Sequence, residues 1–136
     1  MYLLDTNSCI QLLNRKESSV SRRIALQAPH EIALSSVVKA ELLYGARHSM
    51  HVEENLSLLR SFFALLTSLP FDDRCAEEYG QIRADLRRQG RPIGPNDLLI
   101  AATARAFDAI LVTHNTAEFG RVAGLRIEDW EESTPL

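Results

Sequence analysis

Four apolar residues, Met1-Tyr2-Leu3-Leu4, open the chain and stop abruptly at Asp5-Thr6-Asn7. An apolar run this short, closed by a polar cluster, suits a strand buried on both faces. Such a strand needs helices above and below it, which favours an α/β fold with a parallel sheet. Open sheets of that kind bind ligands just beyond the carboxyl ends of their strands. Asp5 stands at such an end and is the first candidate for chemistry.

The rest of the chain repeats the alternation of strand and helix. Thr6 or Asn7 can cap a helix through Cys9, Ile10, Leu12 and Leu13. Lys16-Glu17-Ser18-Ser19 interrupts it, and a second helix follows, with Val20, Ile24 and Leu26 inward and Arg22-Arg23 outward, stopped by Pro29-His30. Glu31-Ile32-Ala33-Leu34 reads as a second strand, and Ser35-Ser36 caps a helix from Val37 to Ala46. An amphipathic helix over 52–66 carries Leu56, Leu59, Phe62, Phe63 and Leu66 on one stripe. Leu69-Pro70-Phe71 is a brief third strand. Asp72-Asp73 opens a helix through Tyr79, Ile82 and Leu86, with carboxylates at the positive end of its dipole. The loop Gly90-Arg91-Pro92-Ile93-Gly94-Pro95 leads to Asn96-Asp97, which caps a helix over 98–107. Ala109-Ile110-Leu111-Val112-Thr113 is the clearest strand, and it too ends in polar residues, His114-Asn115-Thr116. A helical turn over 117–122, an edge strand Leu125-Arg126-Ile127-Glu128 and a loose tail over 130–136 complete the chain. The expectation is one domain over 1–136, a parallel sheet of four to five strands wrapped by helices.

Bulk properties exclude several classes. At 136 residues there is room for one domain with a real core. No apolar stretch approaches the ~20 residues of a membrane span, and Asp5 and Asn14 interrupt the start too early for a secretory signal. Cys9 and Cys75 have no CxxC partner, so they read as small core residues, and a reducing cytoplasm is the expected setting. Net charge is -3, so no polybasic surface advertises nucleic acid. Thirteen of the fifteen basic residues are Arg, which suits bidentate phosphate contact, although compositional bias gives the same count.

Three acidic residues stand where this scheme converges. Asp5 ends the first strand, Glu41 lies inside the helix after the second, and Asp97 opens the helix before the clearest strand. Each Asp read alone is a helix cap. Glu41, however, falls in an apolar stretch of Val37, Val38, Leu42 and Leu43, where a buried carboxylate needs a partner or a cation. Crowded carboxylates raise each other's pKa, so a cluster of three makes physical sense if it holds a hard divalent cation. Mg²⁺ or Mn²⁺ takes oxygen ligands and keeps waters that phosphate oxygens can replace.

Leu3-Leu4-Asp5-Thr6-Asn7, the stretch from Ser35 to Gly45, Gly94-Pro95-Asn96-Asp97-Leu98-Leu99-Ile100-Ala101-Ala102 and Leu111-Val112-Thr113-His114-Asn115 resemble the four signature blocks of PIN-domain nucleases. More closely, the chain resembles the VapC toxins of bacterial toxin–antitoxin pairs, almost from end to end, including Gln81-Ile82-Arg83 and Ile127-Glu128-Asp129-Trp130. The resemblance implies a PIN-like fold and Mg²⁺-dependent cleavage of RNA, with Mn²⁺ able to substitute. Asp5 and Asp97 would be the principal metal ligands and Glu41 would complete the acidic pocket. Many members carry a fourth acidic residue where this chain has Asn115. Either Asn115 fills that place weakly, or Glu118 supplies the charge and orients a water alongside Glu41. Thr6, Asn7 and Thr113 would support the ligands. A metal-activated water needs no ribose 2′-hydroxyl, so the products would be a 5′-phosphate and a 3′-hydroxyl.

Arg83, Arg87, Arg88 and Arg91 precede the loop to Asp97 and are the candidates for a phosphate track; the bland alternative is a solvated helix face. By analogy the substrate is a tRNA, the initiator anticodon loop among the targets, read as a single-stranded loop. The expected partners are a VapB-like antitoxin and a second copy of the chain. Two other readings stay open. A silent PIN module would act only in binding. A receiver-like phosphoacceptor domain would need an acidic pair after the first strand and a late Lys, and no Lys follows Lys39.

Overall fold

Among residues 1–14 and 17–131, which the computed structural model describes, five short strands form one parallel sheet. They are β1 (Tyr2–Leu4), β2 (Ile32–Ser35), β3 (Thr67–Leu69), β4 (Ile110–Val112) and β5 (Ile127–Glu128), in the order β3-β2-β1-β4-β5. Helices α1 (Thr6–Asn14), α2 (Ser19–Ala25), α3 (Ser36–Arg47), α4 (Val52–Ala64), α5 (Asp73–Arg88), α6 (Pro95–Ala106) and α7 (Thr116–Phe119) fill the connections. This is the α/β architecture expected, with five strands. None of the helices is long and apolar enough to cross a membrane.

The order of the strands decides where a site can form. β1 pairs with β2 on one side and with β4 on the other, Leu4 lying opposite Val112. The chain therefore winds outward in both directions from β1, and the crevice beyond the carboxyl ends of β1 and β4 is a topological switch point. Asp5 and Thr113 are the first residues past those two ends.

The core explains the apolar runs. Leu3, Leu4, Ala33, Leu34, Leu111 and Val112 have no exposed surface, as strands covered on both faces require. α6 is buried nearly all round, at Ile100, Ala101, Ala102, Thr103 and Ala104, and it packs along α5. Its small side chains let it lie close to the sheet. Cys9 and Cys75 are buried free thiols, as read from the sequence.

Several boundaries differ from expectation for local reasons. Leu26 is 78% exposed because α2 ends at Ala25 and Leu26 is its C-cap. β3 falls at Thr67–Leu69 rather than 69–71, since Pro70 has no N–H to give the ladder. α7 spans Thr116–Phe119 rather than 117–122. Trp130 is not loose: it is 1% exposed, tilted against Tyr2 at 5.0 Å, with Arg23 above its ring and its Nε1 donating to Glu128. The expectations for Lys16 and for the tail past residue 131 lie outside the described residues.

α3 carries Glu41, and its start is fixed by one hydroxyl. Ser35 is fully buried and its Oγ accepts from Val38 N at 3.1 Å. Ser35→Ala is expected to cost about 1 kcal/mol of stability, the usual worth of an N-cap, read as a lowered midpoint in urea unfolding.

Candidate active site

Asp5 is tied to the switch point by its backbone, whose N–H donates to Val112 O at 3.1 Å. Its Oδ1 accepts from Ser8 N at 2.8 Å, so Asp5 itself, rather than Thr6 or Asn7, caps α1. The side chain is 5% exposed. Capping uses one carboxylate oxygen and leaves the other uncommitted among the described residues, so cap and ligand are compatible roles. Asn7 is exposed in the first turn of α1.

Asp97 does not cap its helix. α6 starts at Pro95, whose missing N–H costs nothing at a first helical position, and Gly94 is the N-cap without a side-chain bond. Asp97 therefore lies in the first turn, where the helix dipole favours a negative charge. Burial pushes its pKa up to about 7, with further contributions from Glu118, Asp5 and Glu41. Those contributions place Asp97 within electrostatic reach of the other three carboxylates. Asp5, Glu41 and Glu118 thus lie around Asp97, and Asp97 Oδ2 and Glu118 Oε1 both approach the same face of Gly94.

Glu118 and Asn115 turn out to be partners rather than alternatives. Glu118 Oε1 accepts from Gly94 N at 2.7 Å and Oε2 accepts from Asn115 Nδ2 at 2.8 Å. The Gly94 N–H first, then the Asn115 amide, Asp97 and the nearby Arg121, hold the Glu118 carboxyl below the usual range. The two shifts run in opposite directions, favouring the acid form of Asp97 and the anion of Glu118. Thr113, fully buried, accepts from Asn115 N at 3.0 Å. Its support goes to Asn115 and not directly to a carboxylate.

Glu41 is half-buried and has no hydrogen bond or ion pair among the described residues. Thr6 differs from expectation: its Oγ1 is buried without a partner. A buried hydroxyl left unpaired is costly. Thr6 and Glu41 line the same groove. Uncommitted carboxylate oxygens, an unpaired hydroxyl and a carboxyl that resists ionising form an all-oxygen set of the kind Mg²⁺ or Mn²⁺ binds. The residues fit the ion.

A pH dependence follows from Asp97. Its folded pKa of about 7 lies above the value of about 4 usual in an unfolded chain. The stabilisation from that bound proton is present below about pH 4 and is lost as pH rises through 7. In EDTA, the melting temperature of the wild type is expected to fall relative to Asp97→Asn between pH 5 and pH 8. Parallel curves for the two proteins contradict this.

The arginines are divided. Arg83 donates to Tyr79 Oη at 3.0 Å and Arg88 pairs with Asp85 at 3.6 Å. Arg87 and Arg91 are exposed without an ion pair among the described residues. Tyr79, Arg83 and Arg87 line a pocket closed by Ile93 and Pro95, in the loop leading to Asp97. His114 bonds Asp129 through Nδ1 at 2.8 Å, with Glu131 also close. Two contributors escaped sequence reasoning. Gly94 acts through a backbone N–H, and Arg121 donates to Pro92 O at 3.0 Å, bracing the same loop. Neither leaves a compositional signal.

Comparison with known proteins agrees with this architecture. The PIN-domain family profile matches residues 2–125. The tRNA(fMet)-specific endonuclease VapC of Shigella flexneri is 46% identical over 129 residues, covering 95% of this chain and 97% of the relative. Ribonuclease VapC2 of Rickettsia felis is 41% identical, covering 97% of this chain and 99% of its own. Among solved structures, DNA-bound VapBC from Salmonella typhimurium superposes with a TM-score of 0.90 at 40% identity, covering 95% of this chain and 97% of that one. With a profile over nearly its whole length and relatives above 40% identity, the chain belongs to the PIN-domain family and, within it, to the VapC proteins.

Proposed function

We propose that this chain is a metal-dependent endoribonuclease, the toxin of a toxin–antitoxin pair, with Asp5, Asp97 and Glu41 as cation ligands. The observation that supports the reading is Asp97, beside the switch point of the sheet, whose carboxyl resists ionisation under burial and the charges of Glu118, Asp5 and Glu41. With all of them ionised, these carboxylates repel one another, and a cation relieves that repulsion. A bound Mg²⁺ or Mn²⁺ ion supplies charge against which a phosphate builds negative charge and makes a water more acidic.

The chain's own groups do the rest. With a cation bound, Asp97 would be ionised, its proton released to solvent. Glu118, fixed at both oxygens by Gly94 and Asn115, stays anionic and aimed. Glu41, meeting the cation through a water, would orient the attacking water and take its proton, and the buried Thr6 hydroxyl would donate to a ligand or a water. In-line attack of the water at phosphorus would break the bond to the 3′-oxygen, which takes a proton from solvent, leaving a 5′-phosphate and a 3′-hydroxyl. The arginines beside the loop, Arg83, Arg87, Arg88 and Arg91, are the phosphate contacts. The names of the relatives support tRNA(fMet) as substrate, and the VapBC structures support a VapB-type antitoxin as partner. Its expected inhibitory contact is a cation competing for the carboxylates.

The test is cleavage of total RNA by purified protein, with Mg²⁺ and with EDTA. Cutting in Mg²⁺ that stops in EDTA is expected. Cutting that persists in EDTA overturns the metal role, and intact RNA in every condition overturns the nuclease reading in favour of a binding-only module.

A further inference from the structure

Tyr44 is the feature that the acidic pocket does not use. It is 70% exposed on α3, one turn past Glu41, and His48 stacks against it with ring centroids 5.8 Å apart and planes 12° from parallel. An exposed aromatic pair held nearly parallel on a helix gains little from folding. It offers a flat, pre-ordered surface instead.

The Tyr44 side of that pair lines a cleft of about 460 Å³ walled also by Val37, Ala40, Glu41, Asn96 and Leu99. The volume lies within the range of small-ligand sites, about 300–1,000 Å³. Two of its walls connect it to the acidic residues: Glu41 is one of them, and Asn96 immediately precedes Asp97. A group seated there is therefore the neighbour of whatever reacts at the carboxylates. Val37, Leu99 and Ala40 give an apolar lining that accepts either face of a base. Asn96 is exposed and carries an amide that can pair with a base edge. Arg47, one turn beyond Tyr44, is exposed with no ion pair among the described residues, and so is available to a backbone phosphate.

Resting on the nuclease reading above, we propose that the Tyr44–His48 pair is a stacking platform for an unpaired nucleobase next to the scissile phosphate. Single-stranded RNA is commonly gripped in this way, by stacking splayed bases on aromatic rings. Tyr44 is a substrate-positioning residue here, and it takes no part in proton transfer.

The test compares wild type, Tyr44→Phe and Tyr44→Ala in Mg²⁺, with a tRNA(fMet) transcript as substrate and a 2-aminopurine-labelled anticodon-loop oligoribonucleotide as probe. Tyr44→Ala is expected to lower kcat/KM by roughly 5- to 150-fold, the range for one lost base stack. Its melting temperature should stay at the wild-type value, because the side chain is exposed. Tyr44→Phe keeps the ring and should keep the activity. The probe's fluorescence should be quenched on binding to wild type and to Tyr44→Phe, and not to Tyr44→Ala. Wild-type kcat/KM in Tyr44→Ala overturns the proposal while leaving the nuclease reading intact. So does an equal loss in Tyr44→Phe, or a loss of antitoxin binding with cleavage unchanged, which makes the cleft a protein surface. A wild type that cleaves no RNA overturns both.

Discussion

Asp5→Asn is expected to reduce the rate of RNA cleavage by about 10³-fold or more, while the protein stays folded. The reasoning starts from the two oxygens of the carboxylate. Oδ1 caps α1 through Ser8 N, and an asparagine side-chain oxygen caps a helix about as well. The cost to stability is therefore small. What is lost is the charge of the oxygen facing the pocket. A bound cation contributes several kcal/mol of charge stabilisation in phosphoryl transfer, and each 1.4 kcal/mol is a factor of ten in rate. Asp97→Asn should behave similarly, and its melting curve should show greater stability than wild type at pH 8 in EDTA, since it removes a carboxylate from a crowded set. Cleavage of labelled RNA under single-turnover conditions, beside circular dichroism of each variant, separates loss of chemistry from loss of fold. A rate within a few-fold of wild type in both variants contradicts the metal-ligand role.

The largest expected effect on stability lies at the other end of the chain. Trp130 is 1% exposed and locks residues past β5 back onto β1 through Tyr2, with Arg23 of α2 over its ring and Glu128 accepting from its Nε1. Deleting a buried Trp leaves a cavity and loses its transfer energy, about 3–5 kcal/mol in total. Against a total of about 5–15 kcal/mol, that is a large share. For a domain of this size Trp130→Ala should lower the melting temperature by roughly 10 °C or more. Trp130→Phe, which keeps most of the volume but not the bond to Glu128, should fall between. A melting temperature unchanged in Trp130→Ala contradicts the anchoring.

What the chain revealed before folding depended on how far each signal reached along it. β1, β2 and β4 were legible because strands buried on both faces read as unbroken apolar runs ended by polar residues. The positions of Asp5, Glu41 and Asp97 relative to those strands then followed from the rule that sites form at the carboxyl edge. Caps were read less well. Asp5, Thr6 and Asn7 are all good caps, and only the geometry of the first turn picks Asp5. Pro95 starts α6 two residues before Asp97, and that shift turns Asp97 from a cap into an interior carboxylate aimed at the pocket. Trp130 lies among charged and polar residues, and only the long-range return of β5 beside β4 buries it. The relation of Asn115 to Glu118 was beyond reach for a further reason. It depends on the Gly94 N–H, twenty-four residues away, holding the other oxygen of the same carboxylate.

The pairing of Asn115 with Glu118 also bears on how many ions the pocket can hold. Glu118 spends both oxygens on protein donors, so its charge is felt in the pocket while its lone pairs are partly occupied. Asp5 keeps one oxygen beyond its cap, Glu41 has no partner among the described residues and Asp97 meets Glu118, and three such carboxylates suit one divalent ion that keeps some of its waters.

Titration of the purified protein with Mn²⁺ at pH 7.5, followed by the electron paramagnetic resonance of the free ion, tests that set most directly. Wild type should bind one ion per chain, Mg²⁺ should compete for it, and Asp5→Asn and Asp97→Asn should each weaken or abolish binding. Binding that is absent in the wild type, or unchanged when both aspartates are replaced, contradicts the assignment of these carboxylates as a cation site.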